Sequence, residues 1–117
     1  MTPNLNDAVA GYAAAWSADE PTRRRILEEI WALDGLYCDP IGRAQGREEF
    51  IAHMGRAQEL FPEHRIETSS GVDEHDGHFR FSWVLVNPLD EIVIEGVDYG
   101  VVDDTGQIKT LIGFFGP

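Results

Sequence analysis

The hydrophobic period changes once along this chain, near residue 65, and that change restricts the fold more than any other feature. Upstream, apolar residues recur every three or four positions, a spacing that lines side chains up on one stripe of a helix. Downstream, short runs rich in β-branched and aromatic residues alternate with turn signals. Leu5, Val9, Tyr12 and Trp16 predict a first helix over 7–17, with Asn6 at its start as a cap. Pro21 suits the first turn of a second helix. Ile26, Leu27, Ile30 and Trp31 form the apolar face of that helix, and Arg23, Arg24 and Arg25 read as its solvated start. Leu33-Asp34-Gly35 ends it. Residues 36–38 suit a short strand stopped by Asp39-Pro40, and 41–46 read as a loop. A third helix over 47–60 buries Phe50, Met54, Ala57 and Phe61 and is closed by Pro62.

The remainder reads as an antiparallel meander. A strand over 64–72 is irregular at Ser69-Ser70-Gly71, and Asp76-Gly77 is a hairpin signal. The strand 78–86 carries Phe79, Phe81, Trp83 and Leu85 on one face. Asn87-Pro88 turns the chain into 92–102, and Asp104-Thr105-Gly106 joins that strand to 107–115. Helices first and long strands after predict an α+β domain spanning 1–117, with an antiparallel sheet wrapped over packed helices. Gly96, Gly100 and Gly113 fall inside strands, where glycine marks bends or close approach, so the expected sheet is strongly curved and encloses a pocket.

The net charge of −12 argues against nucleic acid, which needs Lys and Arg to neutralise phosphates, and against an anionic membrane surface. Cys38 is the one cysteine, so no intrachain disulfide forms and a reducing compartment is expected. MTPNLNDAVAG at the start lacks the basic region and apolar run of a secretory signal, and no stretch reaches membrane-spanning length. The reading is cytoplasmic. Residues 42–46 lack the Gly-Lys-Ser/Thr ending of a phosphate loop.

Three segments resemble a known family. YAAAWSAD at 12–19 resembles the first helix of SnoaL-like and ketosteroid isomerase-like proteins. LYCDPIGRAQGREEF at 36–50 resembles their strand, Asp-Pro loop and third-helix start, and EGVDYGVVDDTGQIKTLIGFFG at 95–116 resembles their final hairpin. The resemblance covers essentially the whole chain and implies the cone-shaped α+β fold of the nuclear transport factor 2-like superfamily. It also implies a site. Ketosteroid isomerases carry a Tyr on the first helix, an Asp in an Asp-Pro-Val-Gly loop and an Asp on the penultimate strand. Those positions match Tyr12, Asp39 in Asp39-Pro40-Ile41-Gly42, and Asp98.

By that resemblance Asp39 is the base, and Tyr12 and Asp98 are hydrogen-bond donors to a developing oxyanion. The chemistry needs one ionised carboxylate near a carbon acid and one kept neutral by desolvation. No cofactor is called for, and the expected partner is a small apolar carbonyl compound that isomerises or closes a ring through an enolate. Trp16, Met54, Phe81, Trp83 and Phe115 are the candidate substrate-binding residues. The family also implies a homodimer.

Other readings stand beside this one. Asp39, Arg80 and Asp98 would form the Asp/Arg/Asp set of a limonene epoxide hydrolase-like enzyme if Arg80 entered the pocket; otherwise Arg80 is a surface charge. The cone could instead bind a ligand or dimerise without catalysis. Asp98 faces inward with Gly96 and Gly100, or outward if Val97 and Tyr99 face in. Tyr12 is a catalytic donor or a core tyrosine. His53 reaches the pocket or faces water. Cys38 is a small buried hydrophobe rather than a nucleophile. His75 and His78, beside Asp73 and Asp76, suit a solvated hairpin better than a metal site, since no ligand-spaced motif supports a metal.

Overall fold

A computed structural model describes residues 4–116; both ends of the span 1–117 lie outside the described residues. Helix α1 is Leu5–Ala15, α2 is Glu20–Ile30 and α3 is Arg47–Leu60. Asn4, not Asn6, caps α1: its Oδ1 accepts the Asp7 N–H at 2.9 Å, with the acid of Asp7 in the favoured first turn. Asp19 caps α2 in the same way, and Pro21 lies in its first turn as expected.

Strand β1 is Trp31–Asp39, much longer than the three residues anticipated. It begins directly where α2 stops, because Trp31 is already extended, with φ −113° and ψ 129°. Leu33-Asp34-Gly35 therefore lies inside a strand and terminates no helix. Gly35 has a packing role there: a Cβ would come within 2.5 Å of the Trp31 indole nitrogen. The pairing register of β1 slips between Trp31 and Leu36, where the irregularity falls. The presumed loop after Asp39 is also a strand, β2 (Gly42–Gln45), which pairs back on β1 through a turn at Pro40-Ile41.

The predicted strand over 64–72 is two pieces, β3 (Arg65–Thr68) and β4 (Asp73–His75), both paired with β5 (His78–Val86). At the break the Ser70 hydroxyl accepts the Ser82 N–H at 2.7 Å, standing in for a ladder carbonyl. Strands β6 (Ile92–Val102) and β7 (Ile108–Phe115) complete the sheet. Asp76 and Gly77 both have positive φ, the conformation of a tight hairpin turn.

The sheet order is β2-β1-β7-β6-β5-β3, with β4 beside β5. The expected antiparallel sheet is in fact mixed: β1 and β7 run parallel. Three helices cover one face of this open, seven-stranded sheet. Between them lies an aromatic-rich core including Tyr12, Trp31, Tyr37, Phe50, Phe79 and Phe81. On β6, Gly96, Asp98 and Gly100 face that core, which fixes the parity the sequence left open. A Cβ at Gly96 would sit 2.2 Å from Trp83 Cζ2, so the missing side chain is what lets the Trp83 ring lie flat over β6.

Arg23 departs from the reading of a solvated helix start: it is 2 % exposed. Its guanidinium donates to the carbonyls of Ala15 and Ala18 and to Gln58 Oε1, tying the end of α1 to α3. Those carbonyls are the orphan acceptors of a helix end, which a buried donor must satisfy. Arg24 instead bridges Glu20 and Glu48 on the surface. Among the described residues no helix is long and apolar enough to cross a membrane.

Candidate functional site

The sheet order makes the site. Asp98 on β6 pairs with Gly113 on β7, and Cys38 on β1 pairs with Ile112, so Asp39 and Asp98 flank Gly113 from opposite sides. A Cβ on Gly113 would lie 2.9 Å from Asp98 Oδ1 and 3.5 Å from the Asp39 Cβ. Only a residue with no side chain lets both carboxylates reach into one space. That space is a cavity of ≈70 Å³ between the sheet and α1 and α3. Tyr12, Tyr37, Asp39, His53 and Asp98 supply its polar lining, and Trp16, Trp83 and Phe115 are among its apolar walls.

Tyr12, Asp39 and Asp98 thus come together from α1, β1 and β6. Tyr12 donates its hydroxyl to Asp98 Oδ2 at 3.0 Å, and Trp83 donates its indole N–H to Asp98 Oδ1 at 2.8 Å. Asp98 is 3 % exposed. Burial dominates its titration and, with the charge of Asp39, outweighs the two hydrogen bonds that favour the ionised form. The result is a carboxyl pushed up to about 7. Tyr12 is raised well above an ordinary phenol, first by burial and then by the adjacent Asp98 charge.

Asp39 has the opposite character. Tyr37 donates to its Oδ2 at 2.6 Å and the Ile41 N–H to its Oδ1 at 2.9 Å. Partial burial pushes this carboxyl up, but the neighbours His53, Tyr37 and Ile41 together hold it below the usual carboxylate range. The His53 imidazole is the most distant of the three: its Nε2 stands 3.5 Å from Asp39 Oδ2, an ion-pair distance but a poor hydrogen bond, and it has no other partner. The lowering therefore rests chiefly on the phenol and the backbone N–H. Burial and the Asp39 charge raise Tyr37, which stays a neutral donor.

Of the five candidate substrate-binding residues, Trp16, Trp83 and Phe115 line the cavity; Met54 and Phe81 do not. Met54 is fully buried in the core, and its neighbour His53 takes the cavity-facing position on α3. Phe81 meets the Tyr12 ring at 6.0 Å with a 72° interplanar angle, supporting it within the core. Arg80 lies outside the cavity: Phe79 and Phe81 point inward, so strand alternation turns Arg80 out, where it is exposed and pairs with Asp73 at 3.2 Å. The Asp/Arg/Asp arrangement of an epoxide hydrolase is absent for that reason. His75 is exposed beside Asp76, and among the described residues no cluster of His, Cys, Asp or Glu could hold a metal ion. Cys38 alternates with Tyr37 and Asp39 and is not part of the cavity lining.

Tyr37 and His53 are the two polar groups that the sequence reading did not assign to the site. Tyr37 carried a usable signal, since residues two apart on a strand share a face and Asp39 was already a candidate. His53 carried none, because a single histidine on a helix has no preferred direction.

No family model matches this chain, and no curated protein matches it. Solved structures do. A candidate isomerase of the SnoaL-like family from Agrobacterium tumefaciens str. C58 is 29% identical with a TM-score of 0.90, covering 95% of this chain and 96% of that one. A candidate polyketide cyclase from Sinorhizobium meliloti is 19% identical with a TM-score of 0.73, covering 93% and 94%. An NTF2-like protein of unknown function from Exiguobacterium sp. 255-15 is 10% identical with a TM-score of 0.74, covering 93% and 98%. The last two speak to fold alone.

Proposed function

We propose that this chain, a SnoaL-like member of the nuclear transport factor 2-like superfamily, moves a proton on a small carbonyl compound through an enolate, by isomerisation or aldol-type ring closure. The observation that carries the proposal is the divergence of two carboxylates in one cavity, Asp39 below its ordinary range and Asp98 at about 7. Environments that drive two acids apart in this way divide the roles of base and acid.

Asp39, ionised at neutral pH, takes the proton from the carbon next to the carbonyl. The electron pair moves onto the carbonyl oxygen, which meets the Tyr12 hydroxyl. When Asp98 holds its proton on Oδ2 it donates to the Tyr12 oxygen and frees the phenolic proton for the substrate, while Trp83 continues to donate to Oδ1. Donors fixed in a dry site where charge develops are usually the largest part of such catalysis. The cavity of ≈70 Å³ takes the reacting end of a substrate, well below the few hundred Å³ of a pocket that swallows a whole drug-sized ligand. Ile41 and Phe115, 61% and 38% exposed, offer apolar contacts to the rest.

The test is conversion of a β,γ-unsaturated ketone to its conjugated isomer, followed by absorbance. Wild type is expected to turn it over and Asp39→Asn to lose about 10²–10⁴-fold, the usual weight of a positioned base. Equal rates for the two proteins would remove Asp39 from the role, and no turnover in either would end the isomerase reading.

The same proposal includes a homodimer paired through the sheet face that the helices leave bare. Val93, Tyr99 and Phe114 are 46%, 38% and 56% exposed there, and two-fold pairing is the commonest way to cover such a face. Light scattering at low protein concentration is expected to give twice the chain mass; a monomer would remove the dimer.

A further inference from the structure

His53 does not fit the pattern of the other groups in the cavity. Each of Tyr12, Tyr37, Asp39 and Asp98 has a hydrogen-bond partner. His53 is 8% exposed, yet its Nε2 has none and faces Asp39 Oδ2 at 3.5 Å. A buried polar nitrogen without a partner is destabilising, so its presence calls for a reason. The aromatic rings around it set its position: Trp16 meets it edge-on at 6.0 Å and Tyr37 lies at 5.3 Å.

The other edge of the ring explains more. His53 also lines a second, outer cleft of ≈210 Å³, together with Gly42, Arg43, Arg56 and Leu60. A Cβ at Gly42 would lie 2.4 Å from His53 Cε1 and 3.0 Å from Nδ1. The absent side chain therefore lets Gly42 pack directly on the Cε1–Nδ1 edge of the ring, beside the outer cleft. Ile41 and Ala57 also border both spaces. Of the residues shared by the two spaces, His53 is the one whose side chain can carry a proton. Nε2 faces Asp39 on the inner side, which leaves Nδ1 as the nitrogen available to the outer one.

We propose that His53 is a proton relay between Asp39 and solvent. The inference rests on the reading of Asp39 as the base. In the first half of the reaction the substrate C–H breaks, its electron pair enters the enolate and its proton goes to Asp39 Oδ2. His53, neutral and protonated on Nδ1, accepts that proton on Nε2 and becomes imidazolium, which restores the Asp39 carboxylate. It then releases the Nδ1 proton to water in the outer cleft. In the second half the path runs backward: Nδ1 takes a proton from water, Nε2 returns one to Asp39, and Asp39 protonates the far carbon of the enolate. Protons balance over the cycle, and the hydrogen delivered to product comes from solvent. The charged and titratable groups facing the ring are Asp39 and Tyr37 from β1, Arg43 from β2 and Arg56 from α3.

Two measurements test this. First, the β,γ-unsaturated ketone is converted in D₂O and the deuterium in the product is measured for wild type, His53→Gln and His53→Phe. Wild type is expected to deliver solvent deuterium, and both variants to return mainly the abstracted hydrogen, whatever their rates. A structural role would lower the rate and leave the label unchanged, and equal label in all three would overturn the relay. Second, ¹⁵N NMR of the His53 imidazole needs no substrate. In wild type both ring nitrogens are expected to report exchange between tautomers and titration, with a shift in Asp39→Asn. A single fixed tautomer that ignores Asp39→Asn would overturn the relay. If wild type shows the coupled imidazole but no turnover, the enolate reading falls and the Asp39–His53 proton path stands.

Discussion

Replacing Asp98 with asparagine is expected to make this protein more stable and less active at once. Asparagine keeps the shape: its oxygen still accepts from Trp83, and its amide can donate to the Tyr12 oxygen in place of the acid proton. What disappears is a buried carboxyl whose acidity stands at about 7 against an ordinary 3.8. The sign follows from proton counting. Below the ordinary value both folded and unfolded chains hold the proton, and Asp98 adds no pH dependence. Between that value and about 7 the unfolded chain releases it while the folded chain keeps it, so stability falls as pH rises. Above 7 the penalty is constant. At about 1.4 kcal/mol per unit it reaches a few kcal/mol, an upper bound for a group coupled to Asp39.

Urea melts across this window are expected to show a downward slope in wild type that Asp98→Asn lacks, with the variant ahead above neutrality. Turnover of the ketone is expected to fall by about tenfold, because an amide N–H donates to the Tyr12 oxygen more weakly than the acid proton it replaces and polarises the phenol less. A variant less stable than wild type at pH 8 would show that Asp98 is not held against its burial.

The second large effect lies at Phe50. This ring is fully buried on α3 and touches nearly every aromatic that shapes the site: Trp31 at 4.4 Å, Tyr37 at 4.6 Å, Trp16 at 5.8 Å and Tyr12 at 6.3 Å. Phe50→Ala removes the ring and leaves a hole that the sheet cannot close, at an expected cost of about 3–5 kcal/mol. The same hole frees Tyr12 and Tyr37, so activity should fall even in the molecules that stay folded. Phe50→Leu refills most of the volume and is expected to recover most of the stability but less of the activity, because a leucine does not brace flat rings. Denaturant midpoints for the three proteins, read beside turnover of the folded fraction, check both statements.

The sequence made the gross layout legible because periodicity reports burial, and burial here follows simple rules. The helix 47–60 and the strands 78–86 and 92–102 are long and strongly patterned, and their bounds come out as expected. Residues 31–45 were not legible. Asp34-Gly35 is chemically a turn signal, but the Trp31 ring packs against Gly35 within a strand. The short strand Gly42–Gln45 has no hydrophobic alternation, since its place is set by pairing with β1. Arg23 was misread for a related reason: a charged side chain can lie in the interior when helix-end carbonyls there need a donor, and no one-dimensional pattern records those carbonyls.

For the site, the sequence pointed to Tyr12, Asp39 and Asp98 only through family resemblance. That they share a cavity depends on β1 lying beside β7, a pairing across more than half the chain. The distinction between Arg80 outward and Asp98 inward required knowing which face the helices cover. Met54, expected at the cavity, lies in the core, and His53, left open between cavity and water, lines the cavity; both turn on the angle at which α3 meets the sheet.

The parallel contact between β1 and β7 also governs when the protein can come together. The hairpins among β5, β6 and β7 close through short loops, but β1 must wait for a strand some seventy residues further on, with the entropy of closing that long loop still to be met. Non-local pairing of this kind slows folding. Asp39 and Asp98 therefore become neighbours late. A chain emerging from the ribosome holds three helices and an unpaired β1 edge until β7 arrives to lie between β1 and β6. In that interval the exposed edge of β1 is the place where a second nascent chain could add, so slow elongation between β1 and β7 should favour aggregation through this segment.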